Sequence, residues 1–301
     1  MGSPLPLYIT EPAFGAACAL ASAFFWALTS LLVRRLGAVC SMVTINAVRI
    51  SASGLLLLAV SLTGPVRAEL AAMSALTLLL VASSTILAAG IGDSVFFECS
   101  RVLGLGRAMT LAMTYPLMAA AFATIFLGEP ITLRTTVGAV TTLVGLVLIV
   151  VSRHDTGGTL RGHRLAIAGT FFVALTWAAS AILMKPPMRE LSPLTAQGIR
   201  LPIVAAFLWL TPWARAGLPL LYEARRRVLV PMIVLSVLTA VSSMTWIAGL
   251  KYSDVVVATV LSSTSPMFAL GLGAMFLGER LTAGAVLGAL LTVAGIVVLE
   301  V

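Results

Sequence analysis

Apolar residues run along this chain in continuous blocks rather than alternating with polar ones. Ten blocks can be read, at roughly 13–34, 42–62, 72–97, 104–127, 133–151, 164–184, 194–214, 228–249, 254–277 and 282–300, and the short stretches between them hold most of the charge. An apolar run of about 20 residues is the length of helix that crosses the ~30 Å hydrocarbon layer of a bilayer. Strands of a membrane barrel would alternate with a period of two. Lipid offers no water to satisfy peptide groups, so each block is expected to be helical. The pattern predicts an all-α integral membrane protein with ten transmembrane helices.

The blocks fall into two similar sets of five. Phe126-Leu127-Gly128-Glu129 recurs as Phe276-Leu277-Gly278-Glu279, and residues 108–145 aligned without a gap on 258–295 share 14 identities in 38 positions. The earlier parts align with a shift of 151, pairing Trp26 with Trp177 and Arg49 with Arg200. Self-similarity at a fixed period is a strong architectural signal, and this period is far too long for a solenoid. The boundaries it predicts are a first repeat over 1–152, a polar linker over 153–164 and a second repeat over 165–301. With five spans per repeat, the second copy enters the bilayer from the opposite side. The result is an inverted-topology pair, with a substrate site expected between the halves near the midplane.

Composition changes the picture mainly by exclusion. Sixty per cent of residues are hydrophobic, 10% are charged and the mean hydropathy is +1.09, too little polarity to coat a soluble domain of 301 residues. The net charge of +8 does not point to nucleic acid, because the 19 Lys and Arg are scattered through short loops with no basic face. The cluster Arg225-Arg226-Arg227 reads as an anchor at the membrane edge. Residues 1–12 lack a basic n-region, so no cleavable signal is expected and the first span serves for targeting. Cys18, Cys40 and Cys99 show no metal spacing and are expected to pack; no metal or cofactor is implied. The connections that follow the odd-numbered spans carry 12 Lys and Arg, against five in the alternate set. The positive-inside rule then puts both termini outside.

Several polar residues fall inside the apolar blocks. Asp93 sits in the third, where an ionisable group costs roughly 2.5–3.5 kcal/mol and faces a cavity or a partner. It could be a proton-sensitive carboxylate or a counter-charge for an amine; alternatively it lies near the membrane edge, since Glu98 and Arg101 follow closely. Arg49 and Arg200 each follow an amide, Asn46 and Gln197, by three positions, which puts both groups on one helical face. Anion binding is one role for this pair. Structural anchoring, with each Arg close enough to a helix end to snorkel or to bond its backbone, is the favoured expectation. Trp26 and Trp177 lie at equivalent mid-helix places and either wall a cavity or pack against lipid. Trp246, Met109, Met113 and Tyr115 could extend such a wall, although Met and aromatic residues at helical spacing are more often ordinary core. Ser262, Ser263 and Ser265 precede Pro266, whose counterpart is Tyr115-Pro116, and a proline frees the carbonyl four residues earlier. Irregular helix at matching places in both halves points to a transport site or to a packing kink. Gly138, Gly145, Gly284, Gly288 and Gly295 form small-residue strips suited to close helix contact. Glu129 and Glu279 are expected to cap helix ends or to contact Arg or Lys.

The second-half sequence Leu250-Lys251-Tyr252-Ser253, the Ala/Val/Ser-rich stretch to Ser265-Pro266 and Phe276–Thr282, together with Ile91-Gly92-Asp93, Arg101, Pro116 and Phe126–Glu129, resembles the EamA family of the drug/metabolite transporter superfamily. The resemblance covers essentially the whole chain. It implies a ten-helix, two-repeat exporter of small metabolites such as amino acids, related solutes or drugs, without a cofactor. It also implies termini in the cytoplasm, opposite to the charge count. The membrane glutamate of the related small multidrug resistance proteins has no counterpart, since residues 13–33 contain no acidic residue. The expected function is a secondary transporter in the cytoplasmic membrane of a prokaryote, whose partners are a small-molecule substrate and the bilayer, with the chain a monomer or homodimer. An ATP-driven machine would need a phosphate-binding loop, which the chain lacks. A lipid enzyme would need a convergent catalytic set, yet the two histidines, His154 and His163, lie in the linker. A non-transporting receptor or assembly subunit is the alternative, although inverted duplication offers it no evident benefit.

Overall fold

A computed structural model describes residues 11–61, 66–112, 114–151, 160–277 and 282–300, and within them every regular element is a helix. Helix α1 (Glu11–Leu36) and α2 (Met42–Ser61) are followed by the short α3 (Val66–Ala72) and by α4 (Ala75–Thr85). Helix α4 passes through a π-helical stretch, Ile86–Gly92, into α5 (Asp93–Leu103). Next come α6 (Leu105–Ala112), α7 (Tyr115–Phe122) with a second π-helical stretch at Ala123–Leu127, and α8 (Leu133–Val151). The later part contains α9 (Leu160–Met184), a 3-10 turn at Pro186–Arg189, α10 (Pro193–Leu210), α11 (Pro212–Ala216), α12 (Leu218–Glu223), α13 (Arg225–Tyr252), α14 (Val255–Ser262), α15 (Ser265–Leu277) and α16 (Ala283–Glu300).

Six helical stretches among the described residues are long and apolar enough to cross a membrane: 11–36, 42–60, 75–103, 164–189, 193–210 and 225–252. Shorter apolar helices cover Tyr115–Leu127, Leu133–Ile149, Val255–Ala269 and Ala283–Val298. The structure differs from the block pattern in three places. The fourth and ninth blocks are each interrupted by a break next to a proline. The seventh stops at Leu210, where Thr211 takes an extended conformation before Pro212. Residues 160–164, expected in the linker, already belong to α9, while 152–159 lie outside the described residues.

Helices that the internal alignment makes equivalent pack on one another, and they do so antiparallel. Gly145 of α8 abuts Gly288 and Thr292 of α16, and Gly295 abuts Gly138 and Thr142, so one index rises as the other falls. A Cβ on Gly145 would come within 2.5 Å of Gly288 O, and one on Gly288 within 2.5 Å of Gly145 O. Glycine on both sides of the seam is therefore what lets the backbones touch. On the opposite flank, Trp209 Nε1 of α10 donates to Ser51 Oγ of α2 at 2.8 Å, and Thr44 Oγ1 reaches Trp213 O at 3.5 Å, again antiparallel. The remaining major contacts obey the same exchange: α1 packs along α13, and α9 packs along α4 and α5.

The outward faces remain apolar. Leu133, Val137, Val140 and Val144 form an exposed stripe at helical spacing on α8, and Leu165, Leu210, Val230 and Leu290 are at least 64% exposed. Apolar surface on this scale suits lipid and not water. At the end of the molecule where α1 begins, side chains bind the helix ends together. Lys185 Nζ donates to Leu250 O at 2.9 Å and Ser253 O at 2.6 Å, and Lys251 Nζ to Leu191 O at 2.8 Å. Glu129 accepts from the Val255 N–H at the start of α14, the capping role expected of it, whereas Glu279 lies outside the described residues. Glu69 accepts from the Ser192 N–H at 2.7 Å. Burial favours the neutral form of Glu69, but the Ser192 N–H, the hydroxyls of Thr195 and Ser192 and the charge of Lys251 together hold its pKa below the ordinary 4.5.

Candidate functional site

A cavity of about 150 Å³ lies between the two halves, at mid-helix. The first half lines it with Ser22 and Trp26 from α1, Arg49 and Ile50 from α2, Ala88, Ala89 and Asp93, and Tyr115 from α7. The second half adds Trp177 and Ser180 from α9, Arg200 and Leu201 from α10, Thr239, Ser242, Ser243 and Trp246 from α13, and Ser262 and Ser265. Trp26/Trp177, Arg49/Arg200 and Ile50/Leu201 are pairs the internal alignment makes equivalent, so the lining repeats itself across the interface.

Its charged centre is an ion pair. Arg49 Nη2 donates to Asp93 Oδ2 at 2.6 Å, and the two side chains are only 2% and 11% exposed. The same guanidinium donates from Nε to Asn46 Oδ1 at 2.9 Å and from Nη1 to Thr239 Oγ1 at 3.2 Å. Its carbon lies 5.2 Å from the centroid of the Phe97 ring and 5.6 Å from that of Trp26, within cation–π range. Trp177 Nε1 donates to the other carboxylate oxygen, Asp93 Oδ1, at 3.2 Å.

The π-helical stretch before Asp93 makes this geometry possible. In it the Asp93 N–H bonds to Ala88 O, five residues back instead of four. The Ala89 carbonyl is taken by Asn46 Nδ2 at 2.9 Å, and the same nitrogen donates to Ser94 Oγ at 2.9 Å. Asn46 thus holds both the arginine and the irregular backbone that presents its carboxylate. Gly92 admits the tryptophan: a Cβ there would meet Trp177 Nε1 at 2.8 Å.

The equivalent assembly in the second half is incomplete. Gln197 Nε2 donates to Ser243 O and, at 2.6 Å, to Ser243 Oγ. Gln197 Oε1 accepts from Arg200 Nη1 at 3.3 Å, which matches the Asn46–Arg49 arrangement. No carboxylate among the described residues lies within 4.0 Å of Arg200, because the alignment sets Ser243 or Met244 against Asp93. Arg200 is 4% exposed, and its Nε is one of three buried side-chain polar atoms without a hydrogen-bond partner among the described residues.

Aromatic rings form the rest of the wall. Trp26 and Trp177 meet edge to face at 6.0 Å, and Tyr115 packs edge-on to Trp177 at 5.8 Å. Tyr115 Oη donates to Thr259 O at 2.7 Å, which ties α7 to α14. Pro116 and Pro266 each stand second in the helix that restarts after a break, α7 and α15. Pro266 leaves the Ser262 carbonyl without its usual donor four residues on, and Ser265 Oγ donates to that oxygen at 3.2 Å.

The structure thus brings Trp26, Asp93, Tyr115, Trp177, Trp246, Ser262 and Ser265 to one cavity, together with Arg49 and Arg200. Ser263 is not in the lining: it is 1% exposed and its hydroxyl donates back to Val260 O at 2.7 Å. Met113 lies outside the described residues. Neither arginine snorkels or bonds a helix end: both are buried, Arg49 in its ion pair and Arg200 beside Gln197. Asp93 likewise is buried, with Arg49 as its partner. Sequence reasoning missed Ser22, Ser180, Thr239, Ser242 and Ser243, small hydroxyl residues in apolar helices whose only signal was their polarity. It also missed the π-helical stretch, hinted at by Gly90 and Gly92.

The profile of the EamA-like transporter family matches residues 13–151 and again residues 164–301. No curated protein matches the chain in sequence. Among solved structures, a crystal structure of a protein 18% identical in sequence superposes with a TM-score of 0.72, covering 94% of this chain and 95% of that one. At that identity the likeness speaks for the fold alone.

Proposed function

The chain belongs to the EamA-like transporter family and is a multi-pass membrane protein of the drug/metabolite transporter type; from this premise we propose that it is a secondary transporter that exports small organic metabolites across the cytoplasmic membrane by alternating access. The reading has ten crossings in two inverted five-helix halves. The observation that carries it is the cavity at mid-helix, built from equivalent residues of both halves. The antiparallel packing of α8 on α16 and of α2 on α10 supports the inverted relation. Sites at such repeat interfaces can be exposed to each side in turn by rocking one half against the other.

The bonds such a rocking motion would break lie at the end of the molecule where α1 begins. Lys185, Lys251, Glu129 and Glu69 each bind a backbone group of another segment there. These are single polar contacts, each worth about 1 kcal/mol net and up to ~3 where charge is involved, a scale that lets two states interconvert. Trp26, Tyr115, Trp177 and Trp246 would give cargo an apolar wall, and the serines would meet its polar groups.

The test is solute counterflow. Purified protein in liposomes loaded with an unlabelled solute should transiently concentrate the labelled form, across a panel of amino acids, carboxylates and amines. Absence of counterflow for the whole panel, from protein that still melts cooperatively, would refute transport and leave a receptor or assembly role.

A further inference from the structure

Three charged side chains line the cavity, Arg49, Asp93 and Arg200, and they sum to one positive charge. Two of them are consumed by each other, and Asp93 spends its second oxygen on Trp177. Arg200 remains, buried to 4% exposure, using one hydrogen bond of its five N–H groups, with Nε unpartnered. An arginine keeps its charge in any protein environment, and an uncompensated charge in a dry site is unfavourable until something pairs with it. Among the described residues no carboxylate contacts it, and Asp93, already bonded to Arg49 and Trp177, acts on it only from beyond ion-pair distance.

We propose that Arg200 is the anchor for an anionic group on the cargo, and that the cargo is a compact organic monocarboxylate with an apolar or aromatic body. The proposal builds on the transporter reading for its claim that the bound anion is carried. One free guanidinium balances one negative charge, which favours a carboxylate over a doubly charged phosphate, and guanidinium and carboxylate match in planar, two-point geometry. A zwitterionic amino acid would also need a counter-charge for its ammonium group, and the one carboxylate in the lining is already bonded to Arg49 and Trp177. A cationic amine would face a net positive wall. The four aromatic rings fit an apolar body, and a cavity of about 150 Å³ is roughly of the size that takes benzene.

The experiment measures binding of radiolabelled benzoate to the full chain in nanodiscs. Competitors are 3-methylbutanoate, phenylalanine, benzylamine and phenylphosphonate. The expected result is saturable benzoate binding, displaced by 3-methylbutanoate, with phenylalanine, benzylamine and phenylphosphonate at least tenfold weaker. Arg200→Gln should weaken benzoate at least tenfold, and Arg200→Lys should recover part of that loss, with both variants monodisperse and melting as the parent does. Three results would overturn the proposal: no saturable carboxylate binding, equal or tighter binding of the amine, zwitterion or phosphonate, or undiminished benzoate binding by Arg200→Gln. If Arg200→Gln binds benzoate normally but no longer transports, Arg200 instead pairs with Asp93 in the opposite-facing state. Counterflow separates the two claims. Arg200-dependent benzoate binding without benzoate counterflow would remove the transport reading and leave the site. Counterflow of other solutes at an unchanged rate in Arg200→Gln would do the reverse.

Discussion

Arg49 and Arg200 stand at equivalent places in the two halves, each three residues after an amide that receives its guanidinium, yet they differ in what surrounds them. Arg49 is satisfied on every side, by Asp93, Asn46, Thr239 and two aromatic faces. Arg200 has the amide and little else. The scaffold is duplicated and the charge is not, because the half that contains Arg200 supplies Ser243 or Met244 where the other supplies Asp93. A symmetric frame suits a machine that must look alike from both sides, while an asymmetric charge would give the cavity of the proposed transporter a preference among solutes.

That comparison is most exposed to substitutions at its charged centre. Asp93→Ala should cost about 3–5 kcal/mol, because it strands Arg49 as a buried, unpaired cation. A thermal or denaturant melt in mild detergent would show it, and the double variant Arg49→Met/Asp93→Leu should recover most of the loss. A small effect of Asp93→Ala would mean that the pair is no stronger a constraint than Arg200 alone.

The next effect separates frame from charge. Gly288→Val pushes a side chain into the Gly145 carbonyl and should cost about 1–3 kcal/mol through overpacking, with the cavity untouched. The melting temperature should fall while solute affinity in the surviving protein stays the same; a shift in affinity would tie the seam to the site.

Arg200→Met should move the other way from Asp93→Ala. It deletes a buried charge that lacks a partner, so stability should hold or rise by about 1 kcal/mol. A loss of several kcal/mol would show that Arg200 is a structural residue like Arg49.

The smallest change is a control far from both arginines. Glu69 has a pKa depressed in the fold, so it stabilises the native state above its ordinary value of 4.5 and loses that contribution as the pH falls through the depressed value. Glu69→Gln should flatten the melt-versus-pH curve in that acid range, lying slightly below the parent at neutral pH and converging with it below the depressed value.

Much of this could be read from the residues alone. The apolar blocks place the helices, and the prolines at 116 and 266 place the two breaks, since a missing N–H acts locally. The three-residue spacing from amide to arginine is also local and appears in both halves. The Arg49–Asp93 pair was not legible, for it joins residues 44 positions apart and depends on a π-helical register that turns Asp93 toward α2. Extrapolating an α-helical period through 86–92 aims that side chain elsewhere. Ser263 failed for a similar reason: all four hydroxyls of the run bond back to their own segment, and only the broken turn decides which of them also face the cavity. The empty place beside Arg200 could be seen only once the partner of Arg49 was known.

The central claim is that this shared cavity opens to each face of the membrane in turn. Its most direct test is a single cysteine at Ser243→Cys, with Cys18, Cys40 and Cys99 replaced, probed by a membrane-impermeant thiol reagent in sealed vesicles of both orientations. The account predicts labelling from either side, slowed on both by bound solute. Labelling from one side alone, with and without solute, would contradict it.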